Sequence, residues 1–507
     1  MARLNSFTLQ SPGTLGLNTQ DRDEVQDPKY ATQADNCVIA RNGLLECRKG
    51  FAKTNATAAT GTPILDVVFS YIEDNGDENI ILAGGNKLWV GTTTLTDITA
   101  ALTVTSDNWQ FMNYGGEVFG YNGADAPVYY AGSGTFATIA SKGTAAGIVS
   151  SGVHLSAFGR SWVVDTTTPS QINYSDLLIP EDFTGGSSGT IDLNNVWPYS
   201  NDTITALAVH NNNLVIFCER SIVIYGNAND INNIYLVEVI NSNGCISRDS
   251  VQNIGDDILY LSSDGVRSLA RTVIQDNMPM AEISAPVRDD IIDTINAETA
   301  SLVKSTYNEK EGFYLLNFPT PGVQWVCDVR QAKQGIYRWT KWDAAINGVC
   351  TSKDYTLYSG LAAGYLSKYS EYYDTDTSDG GIDKTYVMKY RSGWIDVGLS
   401  TSKAAWKKMV WYILSLANIQ PSVTWAYDFN TSKEYSASKS VSGSNPPVYG
   451  TATYGTATYG GDYVPGRYTF QMQSVGSILR LGYQSAVGGG KQAFNKVDLF
   501  LKTGRIR

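Results

Sequence analysis

Two stretches of the chain carry the same alternation of apolar and polar positions. Ile204–Gly226 reads ITALAVHNNNLVIFCERSIVIYG, and Arg248–Ala270 reads RDSVQNIGDDILYLSSDGVRSLA. In each, an apolar run gives way to a polar turn (His210–Asn213; Gly255–Asp257) and then to an apolar strand pattern (Leu214–Phe217; Ile258–Leu261). A second tight turn follows (Glu219–Ser221; Ser263–Gly265), and then a last short strand (Ile222–Tyr225; Val266–Leu269). Alternation of period two marks strands, and Asn, Asp and Gly between them mark turns. A strand–turn–strand–turn–strand unit cannot bury both of its faces alone, so its repetition predicts small sheets arranged radially.

Five further copies fit the same template. They are Ile64–Tyr71 with Asn79–Ala83 and Leu88–Val90; Trp109–Asn113 with Val118–Tyr121 and Val128–Ala131; and Val153–Ala157 with Ser161–Val164 and Pro169–Ser175. The last two are Ser305–Tyr307 with Gly312–Phe318, Val323–Asp328 and Ile336–Trp339, and Gly348–Thr351 with Thr356–Ser359 and Gly364–Tyr369. The expected fold is all-β: a β-propeller of six to eight blades over residues 61–373.

The flanks follow other patterns. Residues 1–60 read as an N-terminal arm that ends in a hairpin, Ala34–Ala40 and Leu44–Gly50, turned at Arg41-Asn42-Gly43. An Asn-Gly pair between two strands is a strong hairpin signal. The arm is expected either to pack on its own domain or to reach a neighbouring subunit. Residues 374–383 are a polar linker. From 384 to 507 the strands lengthen (Lys389–Ile395, Lys408–Leu416, Ser422–Asp428, Tyr468–Ser474, Ser477–Gly482, Lys496–Leu501), which predicts a separate antiparallel β-sandwich. One helix is expected at Ser284–Ile295, with Ser284 as N-cap, Pro286 in the first turn and Val287, Ile291, Ile292 and Ile295 on one face. The tandem pentapeptide around Tyr449, Tyr454 and Tyr459 is a candidate subunit-contact loop, because tyrosine buries interface area at low entropic cost.

Composition sharpens this picture. The chain has 31 Tyr, 11 Trp and 48 Gly and only 17% charged residues, the balance of a β-rich protein with many turns. Charge is uneven. From Lys384 onward there are 15 Lys and Arg against 5 Asp and Glu, a balance of +10. The remaining 23 and 44 leave the first 383 residues at −21. Such asymmetry suggests different partners for the two parts. The six cysteines (Cys37, Cys47, Cys218, Cys245, Cys327, Cys350) form no CxxC pair and are expected to be free thiols of a protein made in a reducing compartment. The start, MARLNSFTLQ, lacks an apolar signal core, and no run of about 18 apolar residues occurs, so neither export nor membrane insertion is expected.

Catalytic motifs are sparse. His154 and His210 occupy matching places in two repeats and read as packing residues. Gly185-Gly-Ser187-Ser-Gly189 matches a nucleophile elbow only by its letters, because that motif needs a strand before it and a helix after it. Asp256-Asp257 and Asp289-Asp290 are consecutive, so their side chains point apart. Asp374–Gly381 lacks the spacing and the closing Glu of a calcium loop. No enzyme activity, cofactor or metal is expected.

A set of short phrases, in order, resembles the tail nozzle, or packaged-DNA stabilisation, proteins of short-tailed bacteriophages. They are Gly16–Thr19, Ala34–Ile39 and Gly43–Gly50; Trp109–Tyr114 through Asn122–Pro127; Gly159–Val163 through Asn173–Ser175 and Pro180–Phe183; Ile283–Val287; and Gly504–Arg507. The resemblance implies a propeller with appended β-domains in a homo-oligomeric, hexameric ring at the tail end of the virion, assembled in host cytoplasm. The ring would dock beneath an adaptor protein and beside tail fibres or spikes. It would enclose genomic DNA without sequence-specific binding, retaining and then releasing it. An acidic wall suits such a conduit, since Lys and Arg contacts to phosphate would grip the polymer. A glycan- or receptor-binding tail propeller, with Trp and Tyr lining an open groove, is the alternative. A cytosolic scaffold of the WD type is disfavoured by the lack of repeated Gly-His and Trp-Asp dipeptides.

Overall fold

A computed structural model describes residues 5–197, 202–241, 244–275, 282–373, 375–379, 382–397, 403–443 and 465–503. Among these residues, six separate sheets of three or four antiparallel strands, and four further strands inside a nine-stranded sheet, make seven blades of a β-propeller. Blade 1 begins at Val67–Ile72, blade 2 at Gln110–Tyr114, blade 3 at His154–Ala157 and blade 4 at Ile204–His210. Blade 5 begins at Gln252–Asn253, blade 6 at Lys304–Asn308 and blade 7 at Val349–Thr351. The innermost strands touch their neighbours around the ring, and blade 7 touches blade 1. Between blades 4 and 5 the contact passes through the short 3-10 turn Arg248–Ser250.

The local rules behind each blade are simple. In blade 4, Asn213–Cys218 is almost wholly buried, and the turn before it places Asn211 and Asn212 at φ +49° and +62°, a conformation that asparagine tolerates better than most residues. Apolar clusters then fill each gap between blades, for example Phe217 on Tyr260 between blades 4 and 5 at 5.0 Å.

The N-terminal arm packs on its own chain, and its strands tie the parts together. Asn5–Gln10 pairs with Gln492–Thr503, from Asn5 opposite Leu501 to Gln10 opposite Lys496. Gln33–Asp35 runs parallel to the outer strand of blade 6 (Arg338–Trp342) and antiparallel to Val387–Asp396 of the sandwich. That one short strand makes blade 6 and half of the sandwich a continuous nine-stranded sheet. Cys37–Ile39 and Leu45–Cys47 extend the other sandwich sheet through Gln492–Thr503, Ala404–Ser415 and Gly466–Gly476. Phe51–Lys53 closes blade 7 as its fourth strand. Residues 51–53, expected in the arm, therefore belong to the propeller. A strand from the arm completing the last blade ties the two ends of the ring together non-covalently. Gly16 permits the tight passage of the arm: its φ is +80°, and a Cβ would sit 2.7 Å from the Trp339 backbone nitrogen.

Two helices interrupt the strands among the described residues. α1 spans Leu269–Gln275 and follows the last strand of blade 5, where only a strand ending at Leu269 was expected. α2 spans Arg288–Asn296, after a 3-10 turn at Ala285–Val287 that carries the proline. Ser284 does not cap it. Its hydroxyl donates to Glu282 and accepts from the Val266 amide instead, because the chain enters against blade 5. The expected linker contains a small hairpin, Asp376–Asp379 with Ile382–Lys384, and its Asp376 is buried. The loop of Tyr449, Tyr454 and Tyr459, and the ending Gly504–Arg507, lie outside the described residues.

Candidate functional site

The seven innermost strands converge on the propeller axis, where ligands and active sites of propellers have room to form. Here the convergence produces a plug. Arg248 reaches across from the 3-10 turn before blade 5: Nη1 donates to the Gly152 carbonyl (2.6 Å) and Nη2 to Asn108 Oδ1 (3.0 Å), before blades 3 and 2 respectively. Its Nε donates to Asp249 Oδ1 at 2.7 Å. Lys304 of blade 6 donates to Asp249 Oδ2 at 2.5 Å and to Asn108 Oδ1 at 3.2 Å, and the Ser305 hydroxyl donates to the Asp249 carbonyl. One carboxylate thus bridges two cations from two blades, and one arginine holds two more blades. Burial alone would raise the Asp249 carboxyl, but Arg248 and Lys304 beside it pull it well below its ordinary range. Burial lowers the Lys304 ammonium against the pull of Asp249.

A cavity of about 230 Å³ remains beside this network, lined by Asp66, Trp109, Gln110, Gln252 and Gly348 among others. Burial, then the nearby Asp107 charge, push the Asp66 carboxyl up to about 6. The space is that of a small group of waters.

The second concentration of charge lies where arm, linker and sandwich meet. Arg48 is fully buried. Its Nη2 donates to Asp376 Oδ2 at 2.5 Å, its Nε to Asn36 Oδ1 at 2.8 Å and its Nη1 to the Lys49 carbonyl at 3.0 Å. The guanidinium lies 4.3 Å from the Tyr386 ring centroid and within 6 Å of Phe51 and Trp342. Asp376 also accepts from the Phe51 amide, so the pair anchors the strand that closes blade 7. A cleft of about 230 Å³ opens nearby between blade 6 and the hairpin. Four of its cations are matched, Arg330 and Arg338 by Asp328, Lys49 by Glu311 and Lys491 by Glu46, while Arg41 donates to the Lys310 carbonyl.

The residues weighed for chemistry are scattered. Ser187 bonds Asp176 and Arg160, with no histidine beside it, so it is no nucleophile elbow. Asp256 forms an exposed pair with Lys333, and Asp257 caps the start of α1 by accepting from Ser268 and the Ala270 amide. Asp290 accepts from Thr19 of the arm. No group of three or more His, Cys, Asp or Glu able to hold a metal occurs among the described residues, and none of their helices is long and apolar enough to cross a membrane. The six cysteines are free, five of them buried.

The two histidines part company. His210 is half-exposed beside Asn211. His154 is buried, shares a hydrogen bond of 2.6 Å with Ser161 and packs 4.3 Å from Tyr121. Burial drives its pKa from 6.5 down to about 3. The unfolded chain therefore takes up the proton first, and stability falls as pH drops from 6.5 toward 3. Between pH 7 and 4.5 this residue is expected to account for about 2–3 kcal/mol of lost stability, about 1.4 kcal/mol for each unit below 6.5. Urea unfolding of His154→Gln should show a pH slope shallower by that amount, and equal slopes would refute it.

No family model and no curated protein matches the chain. Among solved structures it is similar to PorZ, a surface component of the type-IX secretion system of Porphyromonas gingivalis. That match has 11% identity and a TM-score of 0.36 over 66% of this chain and 39% of that one. It is also similar to the Pan2 WD40 domain of Neurospora crassa (9% identity, TM-score 0.37, 64% and 96% covered) and to the WD40 domain of Toxoplasma gondii coronin (9%, 0.32, 73% and 86%). The chain thus spans about two fifths of the length of PorZ.

Proposed function

We propose that the chain is a structural subunit of a short-tailed bacteriophage virion, and that copies of it form the nozzle ring around the DNA exit channel beneath an adaptor. The ordered phrases along the sequence suggest the family. The observation that carries the reading is mechanical. One short strand, Gln33–Asp35, merges propeller and sandwich into a continuous sheet, while the propeller axis is closed by the Arg248–Asp249–Lys304 plug. A body of this kind is suited to bear load. Duplex DNA has to pass outside the propeller, through a lumen that several copies share.

The glycan-binding alternative has less support. All eleven tryptophans are buried, so none offers an open face on which a sugar ring could stack. Purified chain is expected to form rings that fall apart as salt rises from about 0.1 M to about 1 M, where the Debye length shrinks from ~10 to ~3 Å. That expectation follows from the +10 and −21 halves of the chain, and native mass spectrometry after exchange from each buffer would check it. Function itself is tested by immunogold electron microscopy of virions from an infected culture. Gold at the distal end of a short tail is expected. Gold on lateral spikes would favour receptor binding, and unlabelled particles would overturn the virion reading.

A further inference from the structure

Blade 4 ends in an edge unlike those of its neighbours. The outer strands of blades 1 and 2, Thr96–Asp97 and Ala137–Thr138, are only two residues long. That of blade 3, Gly189–Asp192, has four. Blade 5 ends in α1, blade 6 is covered by Gln33–Asp35, and blade 7 is closed by three residues of the arm. The outer strand of blade 4 is Tyr235–Asn241, seven residues reading Tyr-Leu-Val-Glu-Val-Ile-Asn. Among the described residues it pairs on one side only, with Ser221–Gly226. Tyr235, Leu236 and Val237 are 59%, 44% and 47% exposed. A long apolar edge left open is a template for another strand, and proteins shorten, charge or cover such edges unless they use them.

A second long edge lies on the sandwich. Gly466–Gly476, eleven residues, pairs only with Ala404–Ser415 among the described residues, and its Val475 is 57% exposed. The charges of the two edges are opposite. Residues 202–241 of blade 4 carry four acids (Asp202, Glu219, Asp230, Glu238) and the single cation Arg220. The sandwich edge and the strand behind it carry Lys407, Lys408 and Arg467 and no acid, and Lys403 stands just before that strand.

We propose that the outer strand of blade 4 is an assembly edge that takes a second copy of this chain through the Gly466–Gly476 edge of its sandwich. Pairing blade 4 with blade 4 would oppose like charges and stop at a dimer. Joining two different edges is heterologous, so each copy offers one and receives the other, and the series continues until a ring closes. Main-chain hydrogen bonds supply affinity, and the opposed charges set partner and register. The inference rests on the ring reading above and gives it a specific contact.

The test uses the full chain. Leu236→Lys/Val237→Lys changes exposed side chains only, so the propeller should fold, which circular dichroism and an unchanged melting temperature would verify. The expected result is at least a tenfold rise in the concentration at which oligomers form, read by mass photometry. A Leu236→Cys/Gln471→Cys chain should give a ladder of disulfide-linked multimers on mild oxidation, while the native cysteines give none. Lysine variants that assemble as the native chain does overturn the contact and leave the ring reading standing. A Leu236→Cys chain that yields only dimers shows blade-to-blade pairing and also overturns it. A native chain that remains monomeric at all concentrations overturns both.

Discussion

Asp376→Ala is expected to destabilise the protein by about 3–5 kcal/mol, the usual cost of stranding one member of a buried ion pair. Arg48 would keep its bonds to Asn36 and the Lys49 carbonyl but lose the one anion that pairs with it among the described residues, in a site walled by Tyr386, Phe51 and Trp342. Aromatic faces compensate a cation by about 0.5–2 kcal/mol, too little to replace a carboxylate. The damage should appear first where the pair anchors the chain. Phe51 loses the acceptor for its amide, and it stands 5.4 Å from Tyr369 in the stack that seals blade 7. Hydrogen exchange should therefore quicken at 51–53 and 366–369 before the rest of the propeller. The double variant Arg48→Met/Asp376→Leu removes both charges, and it should recover most of the loss because apolar residues fill such sites without a desolvation cost. Urea midpoints for the native, single and double variants decide the matter. A single variant as stable as the native chain would refute the role given to this pair.

Asp249→Asn is expected to cost about 3 kcal/mol, by the same logic applied at the propeller axis. The amide keeps the shape but leaves Arg248 and Lys304 facing each other without the charge that joins them. Lys304 is the member able to respond. Its ammonium already sits below its ordinary value because of burial, and loss of Asp249 lowers it further. With the folded value below that of the unfolded chain, the unfolded state holds more protons, so stability of the variant rises with pH. The deficit relative to the native chain should narrow between pH 7 and pH 10 as Lys304 sheds its proton. Thermal melts of both proteins across that range provide the test. A deficit that stays constant with pH would assign the loss to geometry instead of charge.

Much of the blade architecture was legible from local pattern. Each of the seven repeats lies where a blade lies, because alternation and turn residues act over a few positions: Asn211 and Asn212 turn the chain through their own tolerance of positive φ. The lengthened strands after 384 likewise form the sandwich. What was not legible depended on distant partners. Ser284 looked like a helix cap, but blade 5 supplied it with better partners in Glu282 and the Val266 amide. Phe51–Lys53 looked like the end of an arm because its sheet partner, Leu366–Tyr369, lies more than 300 positions away.

The charged sites divide in the same way. Arg248-Asp249 merely opens the second of the two matching repeats, and nothing next to it in the chain requires burial. Its role arises because closure of the ring brings Asn108, Gly152 and Lys304 to the same point, where low dielectric makes unpaired charge costly and paired charge persistent. Arg48 and Asp376 stand 328 positions apart and meet only after the arm has threaded both domains. The sequence alone determined the repeating unit, the all-β build and the segregation of charge between the two ends of the chain, since these follow from neighbours within a strand or turn. The tertiary structure alone decided how the ring closes, which charges become internal struts and which edges are left open among the described residues. Those outcomes depend on what the completed blades bring within a few ångströms of one another.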